Sequence, residues 1–179
     1  SVVSNASTQT ASFTISGGTL PYTTTSTDPS RVYNAATGTG VWTGSSITAT
    51  IAANACPGTV TMNANDSKGN TDSATLTVLS ARALSLTPTS ANICETSANC
   101  GSTSYPTSVV FTITGGKSPY TVTSSNTAAI SDPVVTAVAP FTFTADANNG
   151  GITSDTTVTL TITDSCGSTK TVAVFVKNE

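Results

Sequence analysis

The sequence predicts an all-β protein made of two tandem antiparallel β-sandwiches, residues 1–80 and 81–179. Three observations carry this. Apolar residues alternate with Thr and Ser over short runs, which is the period of a strand with one buried and one wet face. Gly, Pro, Asn and Asp break those runs into short pieces. The chain also repeats itself at a fixed spacing, the mark of units stacked in series.

The repeat is visible in two distant blocks. Residues 13–26 read FTISGGTLPYTTTS and residues 111–124 read FTITGGKSPYTVTS, 98 positions further on. At the same spacing, Asp66-Ser67-Lys68-Gly69 falls on Asp164-Ser165-Cys166-Gly167. Val60, Met62, Leu76 and Val78 fall on Val158, Leu160, Val174 and Val176. One register holding across both blocks argues against coincidence. The middle stretch, about 30–57 against 128–155, does not align by eye.

The elements follow in order. In the second repeat Leu84 and Leu86, with Pro88 after them, read as a first strand running to Cys94. Phe111 and Ile113 point one way, and Thr112 and Thr114 the other. Val158, Leu160 and Ile162 alternate with Thr159, Thr161 and Thr163, and Val172, Val174 and Val176 keep a similar phase. Phe175 falls on the outward phase of that last strand, where a contact with another domain or chain is expected. The Gly-Gly…Pro and Asp-Ser-x-Gly segments are turn chemistry, so Asp66 and Asp164 are expected in a turn role. Several short strands in fewer than 100 residues indicate a sandwich rather than a barrel.

Composition narrows the function classes. Charged residues make up 8% of the chain and the net charge is -3. Six Lys and Arg, scattered, cannot replace the counterions of a nucleic acid. No apolar run approaches the roughly 20 residues needed to span a bilayer. With no His, no Ser has the usual base of a hydrolytic triad. The nine carboxylates are spread along the chain rather than paired as in glycosidases. No enzyme activity is therefore expected. Thr and Ser take the place of charge, as on secreted bacterial chains, and Ser1 opens into polar sequence as a processed or internal start would.

The pattern FTIxGGxxPYTVTSSN followed by VTLTITDSxGSTxTVxVxV resembles bacterial immunoglobulin-like (Ig-like) repeats of surface proteins, adhesins and some phage tail proteins. The resemblance covers nearly all of both repeats. It implies Ig-like sandwiches with Phe111–Gly115 as strand B, Tyr120–Ser124 as C, Val158–Thr163 as F and Thr171–Val176 as G. The counterpart of strand A in the first repeat would lie before residue 1, so the first sandwich is expected to lack its first strand. That strand is expected from upstream sequence or from a neighbouring subunit.

The resemblance implies an extracellular, cell-surface setting and a structural or adhesive role: a spacer or stalk of a larger protein. Two alternatives stand beside it. One is a filament subunit joined by strand donation or edge pairing. The other is a module binding host or matrix glycan or protein, with Trp42 and Tyr33 as the contact residues. The expected partners are neighbouring domains or subunits of the same protein. No cofactor is expected. Calcium, which stiffens related arrays, has Asp66, Asn70 and Asp72 as candidate ligands, and Asp146, Asn148, Asn149 and Asp155 form a second group. Asn5-Ala6-Ser7 and Asn65-Asp66-Ser67 fit the glycosylation sequon, and Lys117, Lys170 and Lys177 show no isopeptide signature.

Cys56, Cys94, Cys100 and Cys166 form an even set in a surface-type chain, which reads as disulfides; without His or CxxC pairs, zinc does not fit. Cys94 and Cys100 flank a short polar loop and are expected to pair. In Ig topology Cys56 and Cys166 lie at ends that would abut, which implies a Cys56–Cys166 staple; pairing of Cys56 with an upstream cysteine is the alternative. Non-reduced peptide mapping is expected to return Cys94–Cys100 and Cys56–Cys166. A linked peptide containing only one of Cys56 and Cys166 would refute the staple.

Overall fold

The computed structural model describes residues 1–3, 7–79, 82–96 and 105–178. The chain divides into two compact units, Ser1–Arg82 and Ala83–Glu179, where the sequence reading placed the boundary between residues 80 and 81. Every described regular element is a strand.

The first unit contains β1 (Val2–Val3), β2 (Gln9–Thr14), β3 (Thr23–Ser26), β4 (Val32–Tyr33), β5 (Val41–Thr43), β6 (Ser46–Ile51), β7 (Gly58–Asn65) and β8 (Thr71–Leu79). They form a five-stranded sheet in the order β1-β8-β7-β3-β5 and a three-stranded sheet in the order β2-β6-β4. Side chains from both sheets meet in one core that includes Val32, Trp42, Ile47, Ile51, Val60 and Val78. The alternation predicted for these strands is what aims those residues inward and leaves Thr48, Thr59 and Thr75 in solvent.

The second unit contains β9 (Ser85–Thr87), β10 (Ser90–Cys94), β11 (Ser108–Thr114), β12 (Thr121–Ser124), β13 (Thr142–Asp146), β14 (Thr156–Thr163) and β15 (Thr169–Lys177). Its sheets are β10-β15-β14-β12 and β13-β11-β9. Phe111 and Phe143, directly opposite on β11 and β13, stack at 5.1 Å between centroids with 14° between their planes. Both are fully buried.

Strand pairing aligns the two units where the sequence could not. Val2 faces Val78 across a parallel pair as Ile93 faces Val176. Val78 and Val176 are 98 residues apart, but Val2 and Ile93 are 91 apart, so the second unit carries seven extra residues before its strand B. That stretch includes residues 97–104, which lie outside the described residues. In the middle, Phe13 pairs with Ile47 and Phe111 with Phe143, so this strand sits at a spacing of 96. The unit-1 segment places β4 beside β6 in one sheet and β5 beside β3 in the other, whereas residues 131–141 of unit 2 carry no strand. The spacing is 98 again at Val60 and Val158, so two compensating two-residue differences, one on each side of this strand, hid the alignment.

The expectation that the first sandwich lacks its first strand needs refinement. β1 occupies in unit 1 the place that β10 holds in unit 2, parallel to the last strand. No described strand of unit 1 stands where β9 pairs with β11. Among the described residues, unit 1 thus has the β10-like half of this strand.

Thr24 marks a local defect. It is buried on β3, and its Oγ1 has no hydrogen-bond partner among the described residues, where unit 2 places Val122. A buried hydroxyl without a partner costs free energy that an isosteric valine avoids. Thr24→Val is expected to raise the unfolding free energy of unit 1 by about 1 kcal/mol in a denaturant titration; a loss of stability would show that the hydroxyl contributes to packing.

Candidate functional site

Two features of the structure are built by specific residues: a carboxylate clamp present in both units, and a groove present in the first.

The clamp joins the two blocks that repeat in the sequence. In unit 1, Asp66 sits in the turn between β7 and β8. Its Oδ1 accepts from the backbone N–H groups of Lys68 (2.9 Å) and Asn70 (2.8 Å). Its Oδ2 accepts from Thr19 N–H (3.0 Å) and from the Asn70 side-chain amide (2.9 Å). Thr19 belongs to the segment that carries the chain from β2 in one sheet to β3 in the other. Ser67 completes the tie by donating its N–H to Thr19 O at 3.0 Å. Unit 2 repeats this: Asp164 accepts from Lys117 (3.0 Å), Cys166 (2.9 Å) and Ser168 (2.8 Å), and Ser165 N–H donates to Lys117 O at 2.9 Å. Tyr120 Oη donates to Gly115 O at 2.7 Å, and Tyr22 does the same to Gly17 O.

The second glycine of each GG pair is required twice over. Gly18 and Gly116 have φ of +69° and +64°, which side-chain-bearing residues rarely adopt. A Cβ there would also meet the clamp carboxylate, at 3.0 Å from Asp66 Oδ2 and 2.9 Å from Asp164 Oδ2.

The hydrogen bonds lower the Asp66 pKa from 3.8 to about 2. The Asn70 side-chain amide is the main cause, helped by the backbone amides of Asn70, Thr19 and Lys68 and opposed by desolvation. Burial, and then the charge of Asp164, raise the Tyr120 pKa above its ordinary value.

The groove has a volume of about 300 Å³ and lies along the edge of β2. Phe13, Thr14, Ile15 and Ser16 line one side, and Ser73 and Ala74 of β8 the other, with Thr24 and Met62 also in its wall. Phe13 and Ile15 are half-buried here, whereas their counterparts Phe111 and Ile113 are buried. Ala74 is exposed where Val172 is 3% exposed.

The residues singled out from sequence fare unequally. Trp42 is not a contact platform: it is 5% exposed in the unit-1 core, and its Nε1 donates to Thr48 O at 2.9 Å. Tyr33 is half-buried on β4, in the other sheet, so the two rings do not form one surface. Cys56, Cys94 and Cys166 are each disulfide-bonded, and Cys100 lies outside the described residues. As a calcium ligand Asp66 is poorly disposed, because N–H donors occupy both of its oxygens and Asn70 turns its amide nitrogen toward it. Asp72 instead accepts from Ser73 N–H at 2.8 Å. In the second group Asn148 donates its amide to Thr127 O and Ala128 O, and Asp155 pairs with Lys177 at 3.7 Å. Asn5-Ala6 of the first sequon falls outside the described residues.

Two-sheet packing, the parallel first-to-last strand pairing and the strand order define tandem Ig-like β-sandwiches. Among solved structures the chain is similar to a tandem of Ig domains from titin, at 10% identity over 99% of this chain and 91% of that chain, TM-score 0.39. It is similar to domains 5-6 of the S-layer protein SbsC, at 15% identity over 98% of this chain and 92% of that one, TM-score 0.37. It is also similar to Dpr2 Ig1-Ig2 in complex with DIP-Theta Ig1-Ig3, at 12% identity and TM-score 0.39; it covers 99% of this chain but spans only 61% of that chain's length. These are likenesses of fold. No family model matches the chain, and no curated protein matches it in sequence. No described helix is long and apolar enough to cross a membrane.

The clamp makes two predictions. Asp164 is 6% exposed, and Asp164→Ala would leave the part-buried N–H donors of Lys117, Cys166 and Ser168 without their acceptor, lowering the unfolding free energy of unit 2 by about 2 kcal/mol in a denaturant titration. Asp66 has a depressed pKa, so its contribution is complete above about 3.8 and is lost as the pH falls toward about 2. Asp66→Asn is expected to flatten that acid limb in pH-dependent unfolding of unit 1; an unchanged limb would place its origin elsewhere.

Proposed function

We propose that this chain is a pair of bacterial Ig-like repeats with a non-catalytic, structural or adhesive role outside the cell: a spacer or stalk segment of a larger surface protein. The observation that carries the reading is the recurrence of one clamp in both units. Each Asp carboxylate is spent on holding two turns together, which serves stiffness rather than chemistry. Hydroxyl-rich outer faces and disulfide-bonded cysteines fit the same setting. The partners in this reading are neighbouring domains of the same protein, with host or matrix glycan or protein as ligands at the surface.

A second reading, a filament subunit joined through strand donation or edge pairing, is favoured by the edge of β2, which has no strand beside it among the described residues. Light scattering on the non-reduced chain over a range of concentrations separates the two. A monomer throughout is the expected result for a spacer. Polymers that resist dilution would replace the spacer with the filament subunit.

A further inference from the structure

We infer that Asn149 is a self-modifying site: its carboxamide closes onto the backbone nitrogen of Gly150, expels ammonia and leaves aspartate or isoaspartate at the tip of an exposed turn. Asn149-Gly150 is the one Asn-Gly pair in the sequence. Both residues are exposed in the connection between β13 and β14. Gly151 N–H donates to Asn148 O at 3.1 Å and Gly150 has φ of +70°, the arrangement of a type II turn. The flanks of this turn are fixed. Asn148 N–H donates to Ala129 O at 2.9 Å, and its side-chain amide donates to Thr127 O (2.9 Å) and Ala128 O (3.1 Å). Ile152 N–H donates to the buried carboxylate of Glu95 at 2.9 Å. Gly151 is packed so closely that a Cβ there would overlap Ala128 O.

Between these anchors the reacting atoms are unengaged. Neither the Asn149 carboxamide nor the Gly150 N–H has a hydrogen-bond partner among the described residues. Nothing lies within 4 Å of the place a Gly150 Cβ would take, so the peptide between the two residues has room to rotate toward the carboxamide. Base removes the proton from Gly150 N, which attacks Asn149 Cγ. The new C–N bond closes a five-membered succinimide as Nδ2 departs as ammonia. Water then opens the ring. Addition at Cγ restores the ordinary backbone with an aspartate at this position; addition at the backbone carbonyl carbon leaves the chain running through Cγ as isoaspartate. The sum is amide plus water giving acid plus ammonia, with no oxidant or reductant. Neighbouring Asn148 is a built-in contrast, because its amide is held by hydrogen bonds and the residue after it carries a side chain. The amides of Asn34 and Asn70 are likewise engaged, with Val41 O and Asp66. Each event adds one negative charge to a chain whose net charge is -3, so older molecules differ from new ones.

This chemistry needs no partner, so it holds for a spacer and a filament subunit alike. The purified full chain is incubated at mildly alkaline pH and sampled over days by intact mass, peptide mapping and labelling with an isoaspartyl methyltransferase. The expected result is conversion at Asn149 ahead of every other asparagine, with aspartate and isoaspartate both formed, Asn148 intact, and a rate that rises with pH. Asn149→Gln should abolish the early acidic species, since closure would then require a six-membered ring. Gly150→Ala should slow it at least severalfold, with the melting curve showing that the variant is folded. Conversion of another asparagine first, or an acidic species that survives Asn149→Gln, would overturn the assignment. Aspartate formed without isoaspartate, or an unchanged rate in a folded Gly150→Ala chain, would show direct hydrolysis of the amide and remove Gly150 N from the reaction.

Discussion

The fold depends on one carboxylate per unit bridging two turns. In each sandwich the segment after strand B must leave one sheet and enter the other, and its backbone donors cannot join a ladder on the way. Asp66 and Asp164 receive those donors from the neighbouring turn. Because β7 and β8 lie in the sheet that β3 joins, the clamp fixes where the two sheets meet at that end. The core residues then only have to fill a space whose edges are already set.

This explains why GGxxPY and DSxG are the parts of the sequence that repeat. They touch across roughly half the length of each unit. The glycine must admit the carboxylate, the tyrosine hydroxyl must reach back to the first glycine, and the serine must meet the crossing segment. Between these fixed points the chain is free to vary, and it does so in the connections on either side of β6 and β13.

Much of the fold was legible from alternation, because Thr against Val or Ile at period two leaves little choice of element or face. The turn role of Asp66 and Asp164 was also legible, since the same residue recurred at the same place among turn formers. Other features were not. Trp42 as a core residue follows from β5, a strand beside β3 with no described counterpart in unit 2, and no repeat marks it. Short pieces such as β1 and β4 have two residues each, too few to show a period. The groove was not legible, because its walls come from β2 and β8, distant in sequence. The seven-residue insertion was hidden because only strand pairing, not residue identity, relates Val2 to Ile93.

The hydroxyl-covered faces have a further consequence. Coulombic interactions between exposed groups fade as the Debye length shrinks, from about 10 Å at 0.1 M salt to about 3 Å at 1 M. A chain with 8% charged residues places little of its cohesion in that category. Its sheets are held by backbone ladders, apolar cores and local hydrogen bonds, none of which dilution or brine removes by screening. Such a surface suits a protein whose surroundings change in ionic strength while its shape must not.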